Sequence, residues 1–497
     1  MKGPKKAGFW RGMTNITASL LALSIGASAI CSANASAINS VLGITNYKME
    51  SVGDSDVDGY YFDSEFTTLE ELIAAQEEVA VQIAEEGCVL LKNENAALPI
   101  DKDEETVTLW GLNSTSPILG GYIGSAVTAV NDQYEYGIEE ALKESGFSVN
   151  QEMIDFYDSA DMDSYRLSSG HSLSAVFWGS YEETTTYNVG EAPASVYTEE
   201  VLASADGTTA IVVLSRDSSE AADYNLDMQS AVDSDNFSNN VLGLSDNERD
   251  MIELAKEHSS KVIVLINASN PMEIKELKDD PEIDSIMWVG MPGMYGFQGV
   301  AKVLCGEVSP SGHLSDTYVA DAASSPSMVN WGLYVFTNSS VSEDADLTTD
   351  DKGDWYLVES EGIYSGYKYY ETRYEDLVLG RSGANSTSGA TTGTAWSYSD
   401  EVVYPFGYGL SYTTFEQTLE SVEVTIGGTG VATVTVTNTG EVAGKSVVQL
   451  YVQTPYTVGG LEKASIQLLD FGKTDVLEPG ESTTLTIEFD PQYMASY

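Results

Sequence analysis

Three closely spaced carboxylates carry the most specific chemical opportunity in this sequence. In LSRDSSEAADYN (214–225), Asp217, Glu220 and Asp223 follow Arg216, with no helix-period apolar face. A carboxyl that is protonated when a leaving group departs, and ionised when water must be activated, is a general acid/base. Such work needs a pKa lifted towards neutrality by a closed, partly apolar site. The bland reading is that Glu220 is one more solvated acid, in a chain with 77 Asp and Glu residues. Arg216 is placed to pair with Asp217, Glu220 or a ligand hydroxyl, and a guanidinium beside Glu220 would lower that carboxyl's pKa. Asp223 is as well suited to holding its loop by local hydrogen bonds as to touching a ligand.

The elements that must position these residues are strands. TTAIVVL (208–214) is an apolar, β-branched run ending at Leu214, expected to be a buried strand. FTTLEELIAAQEEVAVQIAEE (66–86) has helical spacing of apolar residues with acids between. ETVTLW (105–110), after GCVLLKNENAALPI, reads as the first buried strand, and KVIVLINAS (261–269) and SIMWVG (285–290) as later ones, with helices near 137–145, from Ser245 and around 300–304. Ser245 and Glu248, three residues apart, form a capping box. Alternating strands and helices predict an α/β fold, a three-layer α/β sandwich with a largely parallel sheet. In such sheets function collects beyond the carboxyl ends of the strands, where Glu220 falls. GRSGANSTSGATTGTAWSYSD (380–400) is Gly/Ser/Thr-rich, with a flexible insertion expected at about 380–397. Past Tyr412 the period switches to two in short segments separated by Gly, Asn and Pro turns, which predicts an all-β sandwich over 413–497.

At 497 residues the chain is long enough for two or three domains. A formal net charge of -54 argues against nucleic acid as a partner, because phosphates would be repelled. Residues 1–37 join a basic start (Lys2, Lys5, Lys6, Arg11) to the apolar run ITASLLALSIGASAI and A-x-A sites. They read as a signal peptide or, alternatively, an uncleaved N-terminal membrane anchor, although the run is shorter than the roughly 20 residues a span needs. Either reading predicts a secreted or cell-surface protein, with residues 38–65 as linker. Cys88 and Cys305 sit in apolar contexts as buried structural thiols, and His171, His258 and His313 lack ligand spacing, so neither metal nor cofactor is expected. Lys92 and Asn93 are read as fixing a turn, and the aromatic residues Tyr364, Tyr367, Tyr369, Tyr370, Tyr404, Phe406, Tyr408 and Tyr412 as packing between two domains. The glycine-rich GGYIGSA (120–126) lacks a phosphate-loop lysine and reads as a loop rather than a nucleotide site.

Several stretches, in order, resemble glycoside hydrolase family 3, the β-glucosidase-like enzymes. EEGCVLLKNENAALPI (85–100) is similar to the start of the family's α/β sandwich domain, and MPGMYGFQGVAKVLCGEVSPSGHLSDT (291–317) to its P-G-x-x-x-G … P-S-G-x-L-P-x-T signature. EGIYSGYKYYETRYED (361–376) with YPFGYGLSYTTFE (404–416) is the most specific piece. VTVTNTGEVAGKSVVQLYV (434–452) with LEPGESTTLTIEF (477–489) resembles the fibronectin-III-like domain that follows. The resemblance implies an α/β domain over 66–412 and a fibronectin-III-like β-sandwich over 413–497. It further implies retaining hydrolysis of terminal β-glycosidic bonds, with a glycoside as substrate.

In the family this domain supplies the acid/base from a loop with the pattern G-E-G-x-D-R. SSEAADY (218–224) matches it at Glu220 and Asp223 and departs at Ser219, Ala221 and Tyr224, so the glycines that permit close backbone approach are replaced. The nucleophile belongs on a TIM barrel in an S-D-W-like context, and no barrel-length segment or S-D-W occurs here; Asp354-Trp355, among acidic loop residues, reads as a decoy. The sequence is similar to the front half of the variant family order, with the barrel last and missing from this chain. The alternatives are a non-catalytic carbohydrate-binding or accessory module, or an inactive fragment.

Overall fold

The computed structural model describes residues 4–33, 65–120, 137–166, 190–216, 241–330, 334–335, 355–356, 359, 361–380, 397–425, 427–455 and 460–495. Two units are distinct, Met1–Leu69 and Glu70–Tyr497. Among its described residues, the first holds the long helix α1 (Pro4–Ala33). Among the described residues no helix is long and apolar enough to cross a membrane.

The second unit begins with α2 (Leu69–Gly87) and is built on a six-stranded sheet. Its strands are β1 (Val89–Asn93), β2 (Thr106–Trp110), β3 (Ser148–Val149), β4 (Thr209–Arg216), β5 (Lys261–Ala268) and β6 (Ser285–Trp288), in the order β1-β6-β5-β4-β2-β3. Every pairing is parallel except β1 with β6. Strand side chains alternate between faces, and each face has its own core. Ala210, Val212 and Leu214 of β4 join Val262, Val264 and Ile266 of β5 in one cluster; Ile211, Val213, Ile263 and Leu265 join a second. The first is covered by α4 (Gln151–Tyr157), α5 (Glu199–Ser204), α6 (Asp246–His258) and α7 (Lys275–Asp279). The second is covered by α3 (Ile138–Glu144) and α8 (Gly296–Leu304). Burial on both faces is why β4 and β5 read as continuous apolar runs. Helix α2 lies against α8 at Gly299, where a Cβ would meet the Val81 carbonyl oxygen at 2.5 Å.

Two expectations are corrected here. The β4 strand does not stop at Leu214: the ladder with β5 continues through Ser215↔Asn267 and Arg216↔Ala268, so two polar residues complete it. The stretch after α2 begins with strand β1, which edges the sheet in the antiparallel sense. Beyond β6, β7 (Tyr318–Val319) pairs with β10 (Val402–Tyr404), and β8 (Tyr334–Val335) with β9 (Trp355–Tyr356). Helices α9 (Tyr367–Leu377) and α10 (Tyr398–Glu401) precede the β-sandwich.

That sandwich sets β11 (Phe415–Val424), β12 (Gly430–Asn438) and β15 (Ser482–Phe489) in one antiparallel sheet, and β13 (Val447–Gln453) with β14 (Ile466–Lys473) in the other. Strand β12 alternates buried and half-buried residues, placing Val434 and Val436 in the core with Val448 and Ile487. The sandwich is tied to the α/β layer by aromatic and ionic contacts. Tyr367 stacks on Phe406 at 4.4 Å and accepts a hydrogen bond from the Leu468 N–H of β14. Glu86 of α2 binds Lys445 and Lys473; burial pushes its carboxyl up, but the two lysines and Gln82 outweigh this and hold it down at about 2.

Candidate active site

The carboxyl edge of the sheet is framed by residues at the ends of β2, β4, β5 and β6. Glu220 and Asp223, the sequence-predicted acid/base and its companion, lie outside the described residues, as do His171, Asp354 and residues 121–126. The third candidate, Arg216, is the last residue of β4 and is fully buried. Its Nη1 and Nη2 form a two-pronged ion pair with the Glu248 carboxylate, at 2.7 and 2.8 Å. Nη1 also donates to the Ser215 carbonyl at 2.7 Å and Nη2 to that of Gly243 at 2.5 Å, while Nε donates to that of Val241. Thus each of the five guanidinium N–H groups has a partner, and the fork geometry of arginine is used in full. Glu248 lies 32 positions along the chain from Arg216. The capping box read from the sequence is present, since Ser245 Oγ accepts from the Glu248 N–H and Glu248 Oε2 from the Ser245 N–H. The same carboxylate therefore caps α6 and neutralises Arg216.

Asn267, the partner of Ser215 across the ladder, is equally buried and makes four hydrogen bonds. Its Oδ1 accepts from the Ile118 N–H and the Ser215 hydroxyl, and its Nδ2 donates to the carbonyls of Ile118 and Gly290. All donors and acceptors of the amide are satisfied, so one side chain on β5 binds β4 and the segments after β2 and β6 together.

A second buried carboxyl closes the end of β2. Glu191 accepts from the N–H groups of Leu112 and Ala192, and the Asn247 side chain of α6 donates to its backbone carbonyl. Beside it, Gly111 takes a positive φ of 96° and donates to the Tyr157 hydroxyl, which is bonded to the Tyr197 hydroxyl at 2.8 Å. Burial pushes the Glu191 carboxyl up; its two N–H bonds pull the other way, Glu248 adds to the rise, and the net result is about 8. Burial likewise raises the Tyr157 and Tyr197 hydroxyls, which stay protonated. Arg166 holds this corner from outside through the carbonyls of Leu112 and Tyr157 and the Thr115 hydroxyl.

Glu191, Glu248 in its ion-pair role and Asn267 were not singled out by sequence reasoning. Their partners are distant in the chain, and only the capping box pointed to Glu248. The other sequence-predicted residues are placed as follows. Asn93 exchanges two hydrogen bonds with the backbone of Leu98 and fixes the turn after β1, whereas Lys92, read as part of the same turn, donates to the carbonyls of Lys278 and Asp280 and ties β1 to the end of α7. A cavity of about 560 Å³ between α2, α8 and residues 443–445 is lined by none of the strand-end residues. Among the described residues no group of three or more His, Cys, Asp or Glu side chains is placed to hold a metal ion.

Comparison with known proteins fits this architecture. Residues 88–412 match the glycosyl hydrolase family 3 C-terminal domain, and residues 446–497 the fibronectin type III-like domain. The chain is 31% identical over 447 residues to β-glucosidase A of Butyrivibrio fibrisolvens, covering 84% of this chain and 46% of that protein. It is 30% identical over 420 residues to a β-glucosidase of Ruminococcus albus, covering 84% and 36%. Among solved structures, a β-glucosidase from Paenibacillus barengoltzii is similar at 29% identity and a TM-score of 0.63, over 85% of this chain and 39% of that one. β-Glucosidase 3B from Thermotoga neapolitana, in complex with glucose, has 28% identity and a TM-score of 0.62, over 86% and 50%. The chain spans less than half the length of the two curated relatives. On the extent of the matched domain, this chain belongs to glycoside hydrolase family 3.

Proposed function

We propose that this chain supplies the acid/base half of an exported, retaining β-glycosidase, with Glu220 as general acid/base. The observation that carries the proposal is positional: Glu220 follows the last residue of β4, at the carboxyl end of that strand, by four positions in the sequence and falls inside the matched family domain. Retaining hydrolysis uses two carboxyls about 5 Å apart, a nucleophile and a proton shuttle. Glu220 protonates the departing glycosidic oxygen and then, ionised, activates the water that releases the sugar. Asp223 supports the loop or the substrate, and the nucleophile comes from a TIM-barrel domain outside these residues. Residues 1–37 direct the chain to the secreted or cell-surface compartment, as a signal peptide or anchor.

The test is hydrolysis of aryl β-glucosides by the chain alone and fused to a family barrel. Activity in the fusion only, lost in Glu220→Gln and recovered with azide, is the expected result. Activity in the chain alone would place a nucleophile within it. A folded but inactive fusion would overturn the enzymatic reading in favour of a carbohydrate-binding or accessory module.

A further inference from the structure

We infer that a cavity between α9, the segment entering β14 and the turn after β15 binds the end of a neutral saccharide. The inference goes beyond the catalytic reading above and does not depend on the assignment of Glu220. The cavity holds about 450 Å³, within the range of small-molecule sites. Lys368 lines it from the first turn of α9, Glu462 and Lys463 from the approach to β14, and Gln467 from β14 itself. Gln492 and Tyr493 close it from the 3-10 helix Pro491–Met494. Its walls are clamped together by the protein. The Leu468 N–H donates to the Tyr367 hydroxyl at 2.9 Å, and the Ser465 N–H to the Thr372 hydroxyl at 2.8 Å. Two successive turns of α9 are thereby bonded to β14 and to its approach, so the site is formed before a ligand arrives.

Unused hydrogen-bonding capacity sets this lining apart. Every other lysine described in the second unit contacts a carboxylate or donates to a carbonyl. Among the described residues Lys368 and Lys463 do neither, although the chain holds 77 acids, and both face the same cavity. The side chains of Glu462, Gln467 and Gln492 are likewise bonded to no described group. Donors and acceptors therefore surround one volume. Saccharide hydroxyls both donate and accept, and such a wall answers both needs. The Tyr493 ring is 61% exposed and offers an apolar surface to the C–H face of a sugar ring. Charge excludes ionic ligands. Lys368 and Lys463 are balanced by Glu462 and by Asp490, which also lines the cavity. The chain's net charge of -54 repels an anion at long range, and two unpaired ammonium groups repel a cation at short range.

The probe is cellobiose, titrated into the full-length chain and followed by ligand-observed NMR. Digalacturonate serves as the anionic comparison and glycerol as the minimal polyol. Saturable cellobiose binding with a Kd of about 1 mM is expected. Lys368→Met and Lys463→Met keep the aliphatic stems and remove the donors, and each should weaken binding about 3- to 10-fold. Tyr493→Ala removes the ring and should weaken it by about 3- to 10-fold as well. None of the three side chains is buried, so thermal unfolding should match wild type and exclude loss of fold as the cause. Cellobiose binding unchanged by all three substitutions would place the sugar elsewhere and overturn the inference. Absence of saturation by about 10 mM would overturn it too. Tighter binding of digalacturonate would refute the neutral class, and equal affinity for glycerol would refute a saccharide. Hydrolysis does not enter this measurement. An inactive barrel fusion whose cellobiose binding still responds to Lys368→Met and Lys463→Met would count against the enzymatic reading alone and leave this site in place.

Discussion

Two buried glutamates stand at the carboxyl edge of one sheet and solve the same problem in opposite ways. At the end of β4, Glu248 is matched by Arg216 through two charge-assisted hydrogen bonds. At the end of β2, Glu191 has no cation in hydrogen-bond contact among the described residues; two backbone N–H groups donate to it, and burial pushes its carboxyl up to about 8. A charge withdrawn from water must be paired or given up, and the two ends of this edge take one route each. The first gives an ion-paired anchor shut off from water. The second gives a corner whose stability depends on pH.

The largest expected effect comes from breaking the pair on one side only. Arg216→Met leaves Glu248 buried without its partner and three carbonyls without a donor, and should cost about 3–5 kcal/mol in urea unfolding at pH 7. Adding Glu248→Leu should return the protein to within about 1–2 kcal/mol of wild type, the residue of the deficit reflecting the lost α6 cap. If the single variant were as stable as the double, the ion pair would not be the element that holds this end of the sheet.

Glu191 sharpens the contrast through pH. Its folded pKa lies above the unfolded value, so the protonated form is the one the fold favours. Its contribution is then fully present below about pH 4.5, shrinks as pH rises, and levels off above about 8. Relative to Glu191→Gln, wild type should lose about 1.4 kcal/mol per pH unit across that window, reaching roughly 3 kcal/mol near pH 7. Burial sets the direction and Glu248 from α6 adds to it, whereas the Ala192 and Leu112 N–H groups and Arg166 oppose it. Parallel stability curves for the two proteins between pH 5 and 8 would show that Glu191 is ionised throughout.

How much of this was legible beforehand follows from how far apart the partners are. Period and polarity within single segments located β2, β4, β5 and β6, the covering helices and the two-period switch at the sandwich, because each depends on near neighbours. The Ser245–Glu248 capping box was visible because its two members are three residues apart. That the same Glu248 holds Arg216 was not visible, since nothing local pairs residues 32 positions apart. The polarity of Ser215 and Arg216 suggested a strand end at Leu214, whereas cross-strand partners on β5 supply the hydrogen bonds that extend β4. Glu191 carries no local mark at all; among 77 acids, only its burial distinguishes it.

The smallest effect is expected one residue beyond Glu248, at Arg249. Its guanidinium also makes a two-pronged contact, with Glu276 at 2.9 Å on each arm, and a third contact with Asp246 at 3.0 Å. In its two-armed grip on a carboxylate it resembles Arg216. The difference is water: Arg249 is 28% exposed and Glu276 45%, against 0% and 4% for Arg216 and Glu248. In high dielectric the Coulomb gain is small, the two long side chains lose rotamer freedom, and salt screens what remains. Arg249→Ala should therefore cost less than about 1 kcal/mol, and the loss should shrink further in 1 M salt. The Arg216→Met deficit should persist in the same salt, because its unpaired charge is buried. Equal costs for the two arginines would mean that contact geometry, and not exclusion of water, determines the strength of these pairs.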